Sequence, residues 1–241
     1  MLSTEEKNIR DAIEAKLSGT IKDEAFLFHI SVERKLKSVE IWFQNVETIL
    51  PDFIQATGTA RSGQAVTEGL TPDLESLISK ISAYIDAFFM SGKSVLDTFA
   101  HELRILYGLG GHTGDLYFGE SLSLLNTHHL DTQINSYLSG IDFDTLNWHK
   151  DLNAYRHAST HESIIPIKPS MDFDFITGEW KEMILKLPLD TAQRPLTYNG
   201  KNFNDVGKEI QDNLFNLIVE CYRRIWDDIG QQQTIIPFNT P

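Results

Sequence analysis

One cysteine, Cys221, stands in 241 residues, so an intrachain disulfide is impossible, as is a zinc site built on cysteines alone. A reducing, cytoplasmic setting is expected. Cationic residues are also scarce: 21 Lys and Arg against 34 Asp and Glu leave a formal charge of −13 and a pI near 5.0. That balance excludes a protein built around broad phosphate contact, because tight nucleic-acid binding draws on dense Lys and Arg. Long apolar runs are missing too, none approaching the roughly 18 residues of a membrane span. The opening MLSTEEKNIRDAIEAKL carries acids where a signal peptide has an apolar core, so neither export nor membrane insertion is predicted. No internal repeat, block of five like charges or low-complexity stretch appears, and one domain over residues 1–241 is the economical expectation.

What the chain does have is amphipathic periodicity. Leu36, Val39, Phe43, Val46, Leu50 and Phe53 recur at alternating steps of three and four, the stripe a helix needs to bury one face. It predicts a helix from about Asp23 to Gln55, kinked at Pro51, which has no N–H for an interior bond. GTARSGQAVTEG, Gly58 to Gly69, is small and polar and reads as an exposed loop. Thr71 as N-cap and Pro72 at the first helical position then open a second long helix. Its stripe runs Leu74, Leu77, Ile78, Ile81, Ile85, Phe88, Phe99, Leu103 and Leu106. The glycine-rich GLGGHTGDLYFGE after Tyr107 is expected to be a flexible loop ending near Gly119. It follows a helix, whereas a phosphate-cradling loop needs a preceding strand.

Short helices are expected over Ser121–Asn126 and Asp131–Ser139, with a firmer one from Asp142 or Asp144 to His161 that buries Trp148, Leu152 and Tyr155. SIIPIKP, MDFDFITGEW and KEMILKLPLD mix β-branched, aromatic and proline residues around Ile176-Thr177-Gly178, which predicts a small antiparallel hairpin insertion over about 162–198. A last helix, Phe203 to Asp228, aligns Val206, Ile210, Leu214, Leu217, Cys221 and Ile225. The predicted fold is mainly α: an up-and-down bundle of four to five core helices with that β insertion before the last helix.

The run with chemistry in it is NWHKDLNAYRHASTHES, residues 147–163. At about 100° per residue, His149, Asn153, Arg156 and Thr160 fall within roughly 60° of one another, away from the Trp148/Leu152/Tyr155 face. A polar stripe of this kind is ordinarily a solvated face; here it also holds an arginine followed, after four residues, by His161. With the upstream KSVLDTFAHELRILYGL, Lys93 to Leu109, YRHASTH resembles the HEPN family, the higher eukaryote and prokaryote nucleotide-binding domains. The resemblance covers the helices from Asp23 to His161 and the final helix. It does not account for the first twenty residues or the β insertion.

The resemblance implies a metal-independent endoribonuclease that cleaves single-stranded RNA, in a toxin-like or phage-defence role, with Arg156 and His161 catalytic and no cofactor or metal. Five residues place that pair about 140° and about 7.5 Å apart on an ideal helix, so one copy does not converge on one phosphate. The family's answer is a homodimer with both copies in a shared cleft. Arg156 would stabilise charge on the phosphoryl oxygens as the 2′-hydroxyl attacks, and His161 would act as general base or acid. A place at the helix C-terminus favours the imidazolium and so the acid role. Asp97 and Glu102 are candidates to orient Arg156 through a carboxylate–guanidinium pair, and Asn153 and His157 to line the cleft. Ser163 stands where the subclass nucleotidylated by a partner enzyme has tyrosine, which argues against regulation by that route. An antitoxin or operon partner is implied without being identified.

Two other readings compete. His157 and His161, four apart and followed by Glu162, could belong to a His-ligated metal hydrolase drawing on His101, His112, His128, His129 or His149, although no HExxH or repeated ExxH motif is present. A catalytically inactive dimeric module binding nucleotide, RNA or protein fits the charge, since twice −13 gives −26 per dimer and repels RNA except near local cations such as Lys150, Arg156, Arg104 or Arg61. Under the nuclease reading the same charge predicts weak, local binding confined to the cleft.

Overall fold

The computed structural model describes residues 3–62, 72–109, 117–161, 168–174, 179–186, 190–191, 194–195 and 202–231. The fold is mainly α, with seven helices among those residues: α1 (Ser3–Lys16), α2 (Gly19–Ser62), α3 (Pro72–Tyr107), α4 (Phe118–His128), α5 (Gln133–Ser139), α6 (Asn147–His161) and α7 (Phe203–Gln231). Between α6 and α7 the backbone runs through β1 (Lys168–Asp174), β2 (Glu179–Lys186), β3 (Asp190–Thr191) and β4 (Arg194–Pro195). β1 and β2 lie antiparallel from Lys168 opposite Lys186 to Asp174 opposite Glu179, and the register slips between Asp172 and Phe173.

Several boundaries differ from expectation. α1 was not foreseen, yet Ile9, Ala12 and Ile13 hold i, i+3, i+4 spacing and all are buried. α2 begins at Gly19 and passes Pro51 to reach Ser62, so Gly58–Ser62 belong to a helix and not to a loop. Proline removes one helical bond there, while Val46 and Phe53 on either side are buried and hold the turn in place. α4 opens at Phe118, inside the segment read as a flexible connection, because that ring is buried against Phe99 and Phe143. α6 starts at Asn147, later than Asp142 or Asp144. Thr71, residues 63–69, the glycines at 110–114, Ser163 and the Ile176-Thr177-Gly178 turn lie outside the described residues.

Helix ends follow sequence chemistry. Pro72 starts α3 with Asp73 and Glu75 in its first turn, where acids meet the positive end of the helix dipole. Gly108, at φ 63°, closes the helix, and the Leu109 N–H reaches back to the Arg104 carbonyl at 2.9 Å, a Schellman-type stop that satisfies an end carbonyl. Thr132 caps α5 by accepting from Asn135 N–H.

The chain forms two compact units, and α2, α3 and α7 each contribute a segment to both. The first comprises Met1–Leu36, Ser94–Phe143 and Asn213–Pro241. Its core draws on Ile13, Val32, Phe99, Leu103, Ile218 and Ile225. Asp228 of α7 ties it together: its carboxylate accepts from Gln133 N–H at 2.6 Å, Ile134 N–H at 3.1 Å and Tyr107 O–H at 2.7 Å. One buried acid therefore caps α5 and anchors the end of α3.

The second unit comprises Lys37–Lys93 and Asp144–Asp212. Aromatic rings dominate its core. Phe43, Phe88 and Phe203 lie 5.5–6.1 Å apart, centroid to centroid, and Phe89 stacks on Tyr155 at 4.2 Å. Gly207 of α7 packs directly on this cluster: a Cβ there would lie 2.7 Å from Phe43 Cε2 and 3.2 Å from Phe203 Cζ. Alanine gains up to about 1 kcal/mol of helix propensity over glycine, but pressing a methyl into two buried rings costs about 1–3 kcal/mol. Gly207→Ala should therefore shift the urea midpoint of unfolding downward. An unchanged or raised midpoint would show that Phe43 can move aside freely.

Candidate functional site

α6 is held by one face. Trp148, Leu152 and Tyr155 are buried as their spacing predicted, joined by Ala154 and Asp151. Tyr155 is wedged against Phe89, and burial, reinforced by the nearby Asp151 charge, pushes its phenol far above the usual tyrosine range. A neutral, fully buried tyrosine at this position fixes the rotation of the helix about its axis. It thereby sets the next residue, Arg156, at the border between core and solvent.

His149, Asn153, Arg156 and His157 are all half-buried along that border. The Asn153 amide nitrogen lies 3.1 Å from His149 Nε2, one helical turn away. α6 ends at His161, whose side chain is not among those described. Helical geometry still puts its backbone five residues beyond Arg156, in the last turn.

The two carboxylates expected to orient Arg156 sit in the first unit, whereas Arg156 belongs to the second. Glu102 has a different occupation. It is fully buried, with Oε1 2.9 Å from His29 Nδ1 and Oε2 accepting from Tyr222 O–H at 2.8 Å. Both oxygens are thus committed to a His29–Glu102–Tyr222 cluster that ties α2, α3 and α7. Burial and then the Glu102 charge raise the Tyr222 phenol well above its ordinary range, so it remains a hydrogen-bond donor. His29 occupies the slot between Ala25 and Val32 in a three–four stripe of buried residues. A polar residue at such a position signals a buried partner elsewhere.

Asp97 is half-buried on α3, and its charge acts on Lys35 of α2. Lys35 Nζ donates to Ser94 Oγ at 2.5 Å and Thr98 Oγ1 at 2.6 Å. Burial lowers the Lys35 pKa, and Asp97 opposes that shift. No spacing in the chain points to this cluster, since lysine on α2 and hydroxyls on α3 become neighbours only by packing.

Among the described residues, no group of three or more His, Cys, Asp or Glu is placed to hold a metal ion, and no described helix is long and apolar enough to cross a membrane. Chemically, α6 offers a guanidinium, an imidazole and an amide in one row, a set suited to a phosphodiester. Searched against family models, curated proteins and solved structures, the chain matches none.

Proposed function

We propose that this chain is a HEPN-type, metal-independent endoribonuclease that cleaves single-stranded RNA in the cytoplasm, in a toxin-like or phage-defence role. One observation carries the reading: α6 buries Trp148, Leu152 and Tyr155 and so sets Arg156 on the border of the core, with His161 in the final turn. The reading takes the fold as an up-and-down bundle with the strand segment inserted before α7. The working unit is a homodimer whose two Arg156–His161 pairs share a cleft, and an antitoxin or operon partner would restrain it. The 2′-hydroxyl attacks the adjacent phosphorus, Arg156 neutralises the charge that gathers on the phosphoryl oxygens, and His161 exchanges a proton. The products are a 2′,3′-cyclic phosphate and a 5′-hydroxyl.

Asn153 and His157 remain candidates to line the cleft beside Arg156, whereas Glu102 serves His29 and Tyr222. The −13 charge favours one second reading, a dimeric binding module without cleavage. Incubating untagged protein with a single-stranded RNA oligonucleotide in EDTA separates the two. Full cleavage with cyclic-phosphate ends is expected; cleavage abolished by EDTA points to a metal hydrolase, and retention of RNA without cleavage points to the module.

A further inference from the structure

The Lys35 amine of α2 is partly withdrawn from solvent and held on two hydroxyls of α3. Its Nζ donates to Ser94 Oγ at 2.5 Å and to Thr98 Oγ1 at 2.6 Å. Ser94 and Thr98 are four apart, neighbours on one helix face, so a single side chain crossing from α2 meets both. Thr98 is only 6% exposed, whereas Lys35 and Ser94 are half-buried, which leaves the Lys35–Ser94 end of the row within reach of a small molecule. All three residues belong to the first unit, as does Asp97.

Two influences compete at this amine: burial lowers its pKa, and the Asp97 charge raises it. As an ammonium it has three N–H groups and no lone pair, and it donates to both hydroxyls. Loss of one proton exposes a lone pair. Thr98 Oγ1 still accepts, while the Ser94 hydroxyl turns to donate to Nζ. An alcohol hydrogen-bonded to an adjacent base is the arrangement that activates a serine as a nucleophile. Thr98 holds the amine over Ser94 in either state.

We infer that Ser94 is a nucleophile and Lys35 its general base, a Ser–Lys pair that takes acyl groups from activated carboxylic esters, with Thr98 as its positioning residue. This activity is separate from RNA cleavage and uses no residue of α6. Ser94 Oγ attacks the ester carbonyl carbon while Nζ takes the Oγ proton. The bond from that carbon to the leaving oxygen breaks, and the leaving oxygen takes the proton from Nζ. An acyl ester remains on Ser94. Water then attacks the acyl carbon and gives its proton to Nζ, the carboxylic acid departs, and Ser94 Oγ recovers the proton.

The probe is p-nitrophenyl acetate on the full chain, with peptide mass spectrometry to place the acetyl group and circular dichroism to check each variant. The unaltered protein should carry acetyl on Ser94 as an ester that hydroxylamine removes, formed at a rate that rises with pH along a limb below the ordinary lysine range. Lys35→Met should slow Ser94 acetylation about 100-fold and flatten that limb. Thr98→Val should slow it, and Thr98→Ser should restore it. Asp97→Asn removes the charge that favours the ammonium and should move the limb to lower pH, a shift that a merely structural aspartate would not produce. Where Lys35→Met fails to fold, the Asp97→Asn limb decides, and an unmoved limb overturns the assignment. Acetyl on Lys35 as a hydroxylamine-stable amide, with none on Ser94, would make the amine itself the nucleophile and overturn the pair. Equal Ser94 acetylation in folded Lys35→Met protein, or no acetyl on Ser94 at all, would overturn it as well.

Discussion

Mixing Arg156→Ala protein with His161→Ala protein should restore a substantial part of the RNA cleavage that each variant alone has lost. Removing an arginine that neutralises a phosphoryl transition state costs on the order of 100- to 1,000-fold, and removing a general acid costs a similar or larger factor. Each homodimeric variant should therefore fall at least 100-fold in kcat/KM at constant pH. If both pairs serve one cleft, a mixed dimer keeps one intact arginine and one intact histidine at the same phosphate. If each chain works alone, every site in the mixture still lacks one of the two, and nothing is restored. The measurement is initial cleavage rate after subunit exchange, with each variant alone as reference. Arg156→Lys adds a further discrimination: a lysine keeps the charge but not the planar fork, so weak rescue by lysine points to bidentate contact with the phosphate.

Glu102→Ala should be the most damaging single change to the fold. It strips the acceptor from His29 Nδ1 and from Tyr222 O–H at once, both in a fully buried setting. Each orphaned group costs about 1–3 kcal/mol, and the void left by the carboxylate arm adds to that. A total of about 3–5 kcal/mol is expected, which for a chain of this size lowers the melting temperature by about 10 °C. Tyr222→Phe deletes only one donor and should cost about 1–3 kcal/mol. Glu102→Gln should fall between, since the amide retains an acceptor oxygen yet turns a donor toward one of the two partners. Thermal unfolding by circular dichroism reads all three. A Glu102→Ala protein that melts with the parent would mean that the cluster is solvated and that Glu102 is available for another role. The same variant bears on the site, because Glu102 acting on Arg156 would cost cleavage activity well below the melting transition.

The stripes were the legible part of the chain. The α7 row from Val206 to Ile225 is buried at every position named for it, as are Trp148, Leu152 and Tyr155 on α6. Leu50, Leu77 and Ile78, the weaker members of their rows, are only half-buried. α1 is hard to read from sequence because its buried row, Ile9, Ala12 and Ile13, is short and sits among charged residues. α2 overran its expected end because proline and small polar residues disfavour a helix only locally. Buried contacts at Val46 and Phe53 outweigh one lost bond.

The candidate site divides in the same way. Periodicity was enough to put Arg156 and Asn153 off the buried face of α6, since that follows from 3.6 residues per turn and the position of three large apolar side chains. Which acid meets which base was beyond its reach. Glu102 stood beside Asp97 as a carboxylate that could face an arginine, and its actual partners are His29, 73 residues earlier, and Tyr222, 120 residues later. One cysteine and a charge of −13 narrowed the chemistry from the first line of the sequence, and helical spacing determined which residues each helix buries. Only the tertiary structure decided that a buried histidine and tyrosine claim Glu102, that Lys35 rests on two hydroxyls, and that Asp228 caps a helix distant in sequence. Spacing is a property of one helix, whereas polar partnership is fixed when several helices pack and each buried donor must find an acceptor.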